Sequence, residues 1–315
     1  MTQLIPIDEV HITPINAERT FHSHLDGKVH HEVAEMYFMK EYDKEPKTAA
    51  EAKEKGVTGF NGMNSSFPTM KFYKDVNRTI FSADIMPTRY LIGQAMRDVM
   101  KDGSQSEASI EELSPNMANV SLMAPVKING KYFLFSQIKG AALGSGQIHA
   151  GYVAGNIAGK HVIDAYNNPN KNILVSAMKQ EVLEEAGIEL NSIDSTSPAY
   201  FVDERETGRV NIASVVRNAN ADKMLLAYQD QTIIKLNNNE KLEVGGVAML
   251  PIAGIALIPI ENNNHKVEDI TCYVPTELGL DKIVDTKGIR PYTRIVLEHL
   301  ENKENRHILL EKAGF

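Results

Sequence analysis

Cysteine is almost absent from this chain. The single thiol, Cys272, cannot form an internal disulfide, which fits a reducing compartment, and no Cys/His grouping has zinc-finger spacing. Basic charge is also in short supply. Thirty-three Lys and Arg stand against 41 Asp and Glu, for a net charge of −8 and a pI of about 5.7. That balance disfavours a general binder of nucleic acid or anionic membrane, whose affinity comes mostly from basic residues. No long apolar run is present either. The longest, VAMLPIAGIALIPI at 247–260, is broken by Pro251, Gly254 and Pro259 and is too short to span a bilayer. The opening residues, MTQLIPIDEVHITPINAERT, lack a basic stretch followed by an apolar one, so no secretory signal is expected and a cytoplasmic location is. There is no internal repeat and no long low-complexity tract.

What is present is an ordinary globular composition, 43% hydrophobic and 23% charged over 315 residues, enough for two modest domains. Three parts are expected: residues 1–114, mixed and polar; 115–265, the main domain; and 266–315, an extension with a helix. In the first part PKTAAEAKEK, 47–56, and TRYLIGQAMRDVMK, 88–101, read as helices, and GSQSEASIEELSPN, 103–116, as a linker. In the second, NVSLMAPVKINGKYFLFSQI holds two β-prone runs joined by Asn129-Gly130, a dipeptide suited to a type I′ turn, so a hairpin is predicted. A glycine-rich loop follows at 140–159, then a helix, then the strands SPAYFVDE, RVNIASVVRNA at 209–219 and the 245–260 segment. The last helix is PYTRIVLEHLENKENRHILLEKAG, whose apolar stripe would pack on its own domain or on a twin subunit. Strands, helix, then strands with hairpin links imply an α+β, mixed-sheet fold.

The helix in the second part carries the chemistry. KQEVLEEAGI, 179–188, places Glu181, Glu184 and Glu185 three and four residues apart, between N-cap candidates Asn172 or Ser176 and a terminating Gly187. A solvated acidic face is one reading. The other starts from Leu174, Ala177 and Met178, which fall on the same side as the glutamates, so the acids continue an apolar stripe. Carboxylates crowded beside a core repel one another and are costly to desolvate unless a cation neutralises them. With no His or Cys nearby, oxygen ligands point to a hard ion, Mg²⁺ or Mn²⁺.

This stretch resembles the Nudix box, whose helical part reads R-E-U-x-E-E-x-G-U with U aliphatic. Gln180-Glu181-Val182-Leu183-Glu184-Glu185-Ala186-Gly187-Ile188 matches it at every specified position but the first, where Gln180 replaces an arginine that orients the glutamates. HAGYVAGN, 149–156, resembles that family's loop over the metal site, and LEVGGVAMLPI, 242–252, its strand after an acidic loop. The likeness covers about residues 117–262, and a stretch longer than the family's spacing separates Asn156 from Gln180, with no early box glutamate. It implies a Nudix-like α/β/α sandwich with a mixed sheet. It also implies Mg²⁺-dependent hydrolysis of a phosphoanhydride in a nucleoside diphosphate linked to another moiety, such as a nucleotide-sugar or ADP-ribose. The alternative is a Nudix-fold nucleotide-binding or regulatory protein with weakened catalysis. The implied metal ligands are Glu181, Glu184, Glu185 and the Ala150 carbonyl; the implied proton acceptor is Glu184 or a later-loop acid, Glu243 before Glu240.

Two other features of the sequence point elsewhere but less strongly. FHSHLDGKVHHE, 21–32, is similar to the metal-binding start of adenosine deaminase-type amidohydrolases, but the chain lacks that class's regular strand–helix alternation. Arg89, Arg97, Arg205 and Arg209 could each hold a phosphate, although ion-paired or solvated arginine is the commoner case.

Overall fold

The computed structural model describes residues 3–18, 51, 54, 62–101, 114–139, 146–186, 197–204, 207–237, 252–261, 270–276, 279–283 and 288–315. Among them are thirteen strands and six α-helices, and the fold is α+β with both parallel and antiparallel strand pairs. No helix among the described residues is long and apolar enough to cross a membrane. The chain divides into two compact units, each drawn from three separate stretches. Unit 1 comprises Met1–Val120, Asn156–Ala177 and Phe201–Ile212; unit 2 comprises Ser121–Gly155, Met178–Tyr200 and Ala213–Phe315.

Unit 1 is built on a hairpin of β3 (Met63–Asp75) and β4 (Arg78–Arg89), with β2 (Glu9–Pro14) added parallel to β4. The short β1 (Gln3–Pro6) precedes them. Helix α1 (Tyr90–Lys101) follows β4 directly; it starts two residues later than its pattern predicts because β4 stays paired through Arg89 with Met63. Leu91, Ile92, Ala95 and Met96 form its buried stripe. Helix α2 (Gly159–Asn167) packs on the β2–β4–β3 sheet through Val162 and Ala165. Gly159 allows this approach, since a Cβ there would collide with Met63 and the Asn64 carbonyl. Phe67, Phe72, Phe81 and Phe201 interlock, with Phe72 edge-on to Phe201 at 4.9 Å and Phe67 edge-on to Phe81 at 5.9 Å.

In unit 2 the expected hairpin is present. β5 (Met117–Ile128, of which the part from Ser121 belongs here) pairs antiparallel with β6 (Lys131–Lys139), and Asn129 and Gly130 have φ of 49° and 81°. β6 then pairs with β11 (Ile252–Pro259), β11 with β12 (Thr271–Thr276), and β12 with β13 (Gly279–Ile283), all antiparallel. The two-residue β7 (Ile148–His149) joins β6, and β8 (Val153–Asn156) joins β5. β9 (Ser197–Glu204) and β10 (Arg209–Val215) contribute residues to both units, and α4 (Ala221–Asn237) follows them.

The C-terminal helix predicted as one piece is two, α5 (Pro291–Leu300) and α6 (Lys303–Lys312). The break is local chemistry: Asn302 accepts the Glu304 N–H at 2.8 Å and starts a new helix, while the Arg306 guanidinium donates to the Leu300 and Glu301 carbonyls left open at the end of α5. The apolar stripe of α5, Tyr292, Ile295, Val296, Leu297 and Leu300, is buried. Thr293 fastens its first turn, donating to the Ile148 carbonyl at 2.7 Å and accepting from the Ala150 N–H at 2.9 Å. The helix expected at 47–56, the linker at 103–116 up to Leu113, and FHSHLDGKVHHE lie outside the described residues, apart from Glu51 and Glu54.

Candidate functional site

The acidic motif sits where α3 (Ile173–Glu181) passes into a π-helical turn, Val182–Ala186. Asn172 caps the start through its side-chain oxygen, 3.1 Å from the Val175 nitrogen. Ala177 and Met178 are buried, in keeping with the inward stripe. The wider turn then divides the three acids. Glu185 is buried, Glu181 is half-buried and Glu184 is exposed. A pattern drawn at a constant α-helical pitch cannot anticipate this, because a π turn takes one residue more than an α turn to close and so shifts the faces of the residues after Glu181.

Within unit 2 the Glu185 carboxylate meets two strands. Its Oε1 accepts from Lys139 Nζ at the end of β6, at 2.9 Å; the two side chains are only 3% and 5% exposed. Its Oε2 accepts the Ala154 N–H of β8 at 3.1 Å and, more weakly, Gln137 Nε2 of β6 at 3.4 Å. The same ammonium also donates to the Ala154 carbonyl at 3.3 Å. Burial pulls the Lys139 amine below the usual lysine range; Glu185, and more weakly Glu181, push it back up, while Arg290 adds to the lowering. The Tyr152 hydroxyl is pushed upward, first by burial and then by the negative charge of Glu185. That hydroxyl and Gln137 Oε1 are buried with no hydrogen-bond partner among the described residues, so the surroundings of Glu185 are polar on more sides than its own bonds require.

Glu181 is set against β8. A Cβ on Gly155 would collide with its carboxylate, so the backbone there must be glycine for the acid to lie where it does. Glu184 accepts a 2.6 Å hydrogen bond from Gln180 on the solvent side. The structure therefore brings Glu181 and Glu185 to β8 and leaves Glu184 outward. Ala150, expected as a carbonyl ligand, is buried on the link between β7 and β8, where its N–H is tied to Thr293; the backbone group that meets Glu185 belongs to Ala154. Glu240 and Glu243 lie outside the described residues. Among the described residues, no group of three or more His, Cys, Asp and Glu side chains could hold a metal ion.

Lys139, Gln137, Ala154 and Gly155 have no role assigned by the motif, although the last two stand in HAGYVAGN, the loop that carries part of the resemblance. One signal for two of them was present. In YFLFSQIK the strand period puts Phe135, Gln137 and Lys139 on one face, and a lysine ending an apolar strand beside a glutamine is a buried charge in search of a partner. The Phe135 ring, edge-on to Tyr152 at 5.5 Å, marks that same face.

Of the arginines considered, Arg89 pairs with Glu18 at 2.8 Å and Arg97 bonds Gln94 at 2.7 Å in unit 1, Arg209 opens β10, and Arg205 lies outside the described residues. Cys272 is buried in β12, with its thiol pushed up to about 11 by desolvation. No protein-family model matches the chain, and no curated protein matches its sequence.

Proposed function

We propose that the acidic end of α3 is the working centre of a Nudix-like pyrophosphohydrolase, acting on a nucleoside diphosphate linked to another moiety. The supporting observation is the fit of Glu181 to Gly155: acid and strand backbone are shaped to each other, which a merely solvated charge does not need. Glu181 and Glu184 suit a hard divalent ion, since Mg²⁺ is commonly held by one or two carboxylates together with substrate phosphates. Glu185 suits it less, because both of its oxygens already accept N–H donors. Bound there, Mg²⁺ or Mn²⁺ would offset the pyrophosphate charge and acidify a water. The chain's own part is to orient the substrate through the β8 backbone and to take a proton from the attacking water, at Glu184 or at Glu243 or Glu240 of the later loop. A cytoplasmic location and a small-molecule partner belong to the same reading.

A second reading, nucleotide binding or regulation with weakened catalysis, is favoured by Gln180. It is neutral where the resemblance expects arginine, and its amide is spent on Glu184. One assay separates the two: release of nucleoside monophosphate from ADP-ribose, nucleotide-sugars and dinucleoside polyphosphates with Mg²⁺, run beside calorimetric binding. Turnover that Glu181→Gln abolishes supports the hydrolase. Binding without turnover leaves the second reading, and neither turnover nor binding removes both.

A further inference from the structure

A carboxylate buried beside a core needs a proton, a metal ion or a fixed cation to be tolerated there. For Glu185 the cation is already built in. Lys139 reaches it from β6 at 2.9 Å with both side chains shut away from solvent, and Ala154 and Gln137 fill the other oxygen.

We propose that Lys139 is the resident cation of this site, a positioning residue that fixes Glu185 against β6 and β8 and withholds it from any divalent ion. The orienting task that the Nudix resemblance assigns to position 180 of the helix is thereby done from a strand, while Gln180 holds Glu184 at the surface. The inference rests on the metal-facing role given above to the acidic helix end, yet its test can fail separately.

The test is Mn²⁺ titration of the full chain followed by electron paramagnetic resonance, for the wild type, Lys139→Met and Lys139→Met/Glu185→Gln. Lys139→Met should bind Mn²⁺ about tenfold or more tightly than the wild type, as Glu185 becomes a ligand, and the double variant should lose that gain. A lysine that merely supported the fold would give no gain. Equal or weaker binding by a Lys139→Met protein with wild-type circular dichroism overturns the proposal. Should that variant not fold, the wild type decides through the Lys139 ammonium nitrogen resonance. The resonance should hold its position as Mg²⁺ is raised to saturate the Mn²⁺ site, and its displacement would refute the role. A wild type that binds no Mn²⁺ beside a Lys139→Met protein that does removes the metal part of the proposed function and leaves this inference standing.

Discussion

Phe67, Phe81 and Phe201 close the core of unit 1 ring against ring, with the exposed Phe72 laid over them, whereas the core of unit 2 closes in one place around Lys139 and Glu185. The first arrangement stabilises by removing apolar surface from water and by edge-to-face contacts. The second stabilises little, because desolvating two ions offsets most of their attraction, and a buried pair can often be replaced by apolar residues at no loss. Its worth must lie elsewhere. What it does hold is a helix end, fastened to two strands at a defined place. The ring cluster is an apolar contact that stabilises, whereas the ion pair is a costly one that holds a helix end in place.

The sharpest way to break that comparison is to remove a ring. Phe81→Ala should lose about 3–5 kcal/mol in urea unfolding, since Phe81 is buried and touches three other rings; a loss below about 1 kcal/mol would deny the cluster its place as the core. Glu185→Leu alone should cost about as much, because it strands a buried ammonium. Lys139→Met/Glu185→Leu should recover nearly all of that and fall within about 1 kcal/mol of the wild type. If the double variant stays as unstable as Phe81→Ala, the two cores are of one kind after all.

Smaller effects refine the contrast. Gly155→Ala should leave stability within about 1 kcal/mol of the wild type, because the far end of a flexible side chain can move aside. It should nevertheless weaken Mn²⁺ binding by displacing Glu181, and undiminished binding would detach Glu181 from the site. A further change concerns His299 in α5, whose pKa is lowered to about 4 by burial. As pH falls, the unfolded chain takes up the proton first, near pH 6.5, so stability should decline from there to about pH 4 and level off below it. His299→Gln should remove part of that decline in urea unfolding followed from pH 7.5 to 4; an identical slope would assign the acid sensitivity to other groups.

Several elements could be read from local chemistry alone. Asn129-Gly130 announces its hairpin because positive φ at two successive positions is a property of those two residues, and the span of SPAYFVDE follows from a β-prone run between turn residues; β10 starts where expected but ends at Val215 rather than 219, ahead of Asn218 with its φ of 51°. The buried stripe of α3 follows from helical spacing as far as Met178. Reading fails where geometry changes within an element. The π turn sends Glu184 outward and Glu185 inward, and Asn302 divides the last helix although its stripe of apolar residues continues. It fails again where a partner is remote. Period two sets Gln137 and Lys139 side by side on β6, but nothing in that strand says that Glu185, 46 residues later, is what they meet. Nor does any local signal announce units that each gather three separate stretches of chain.

The contacts of Glu185 have a further consequence, in the order of folding. They join residues 46 and 31 positions apart, so loop closure delays them until β6, β8 and the π turn have assembled. Before that moment Glu185 is one more hydrated acid, open to any cation in solution. Afterwards its oxygens are taken by Lys139, Ala154 and Gln137. A nascent or half-unfolded chain and the finished protein would therefore differ in how this carboxylate meets ions in solution, since it is fixed only once strand and helix end have come together.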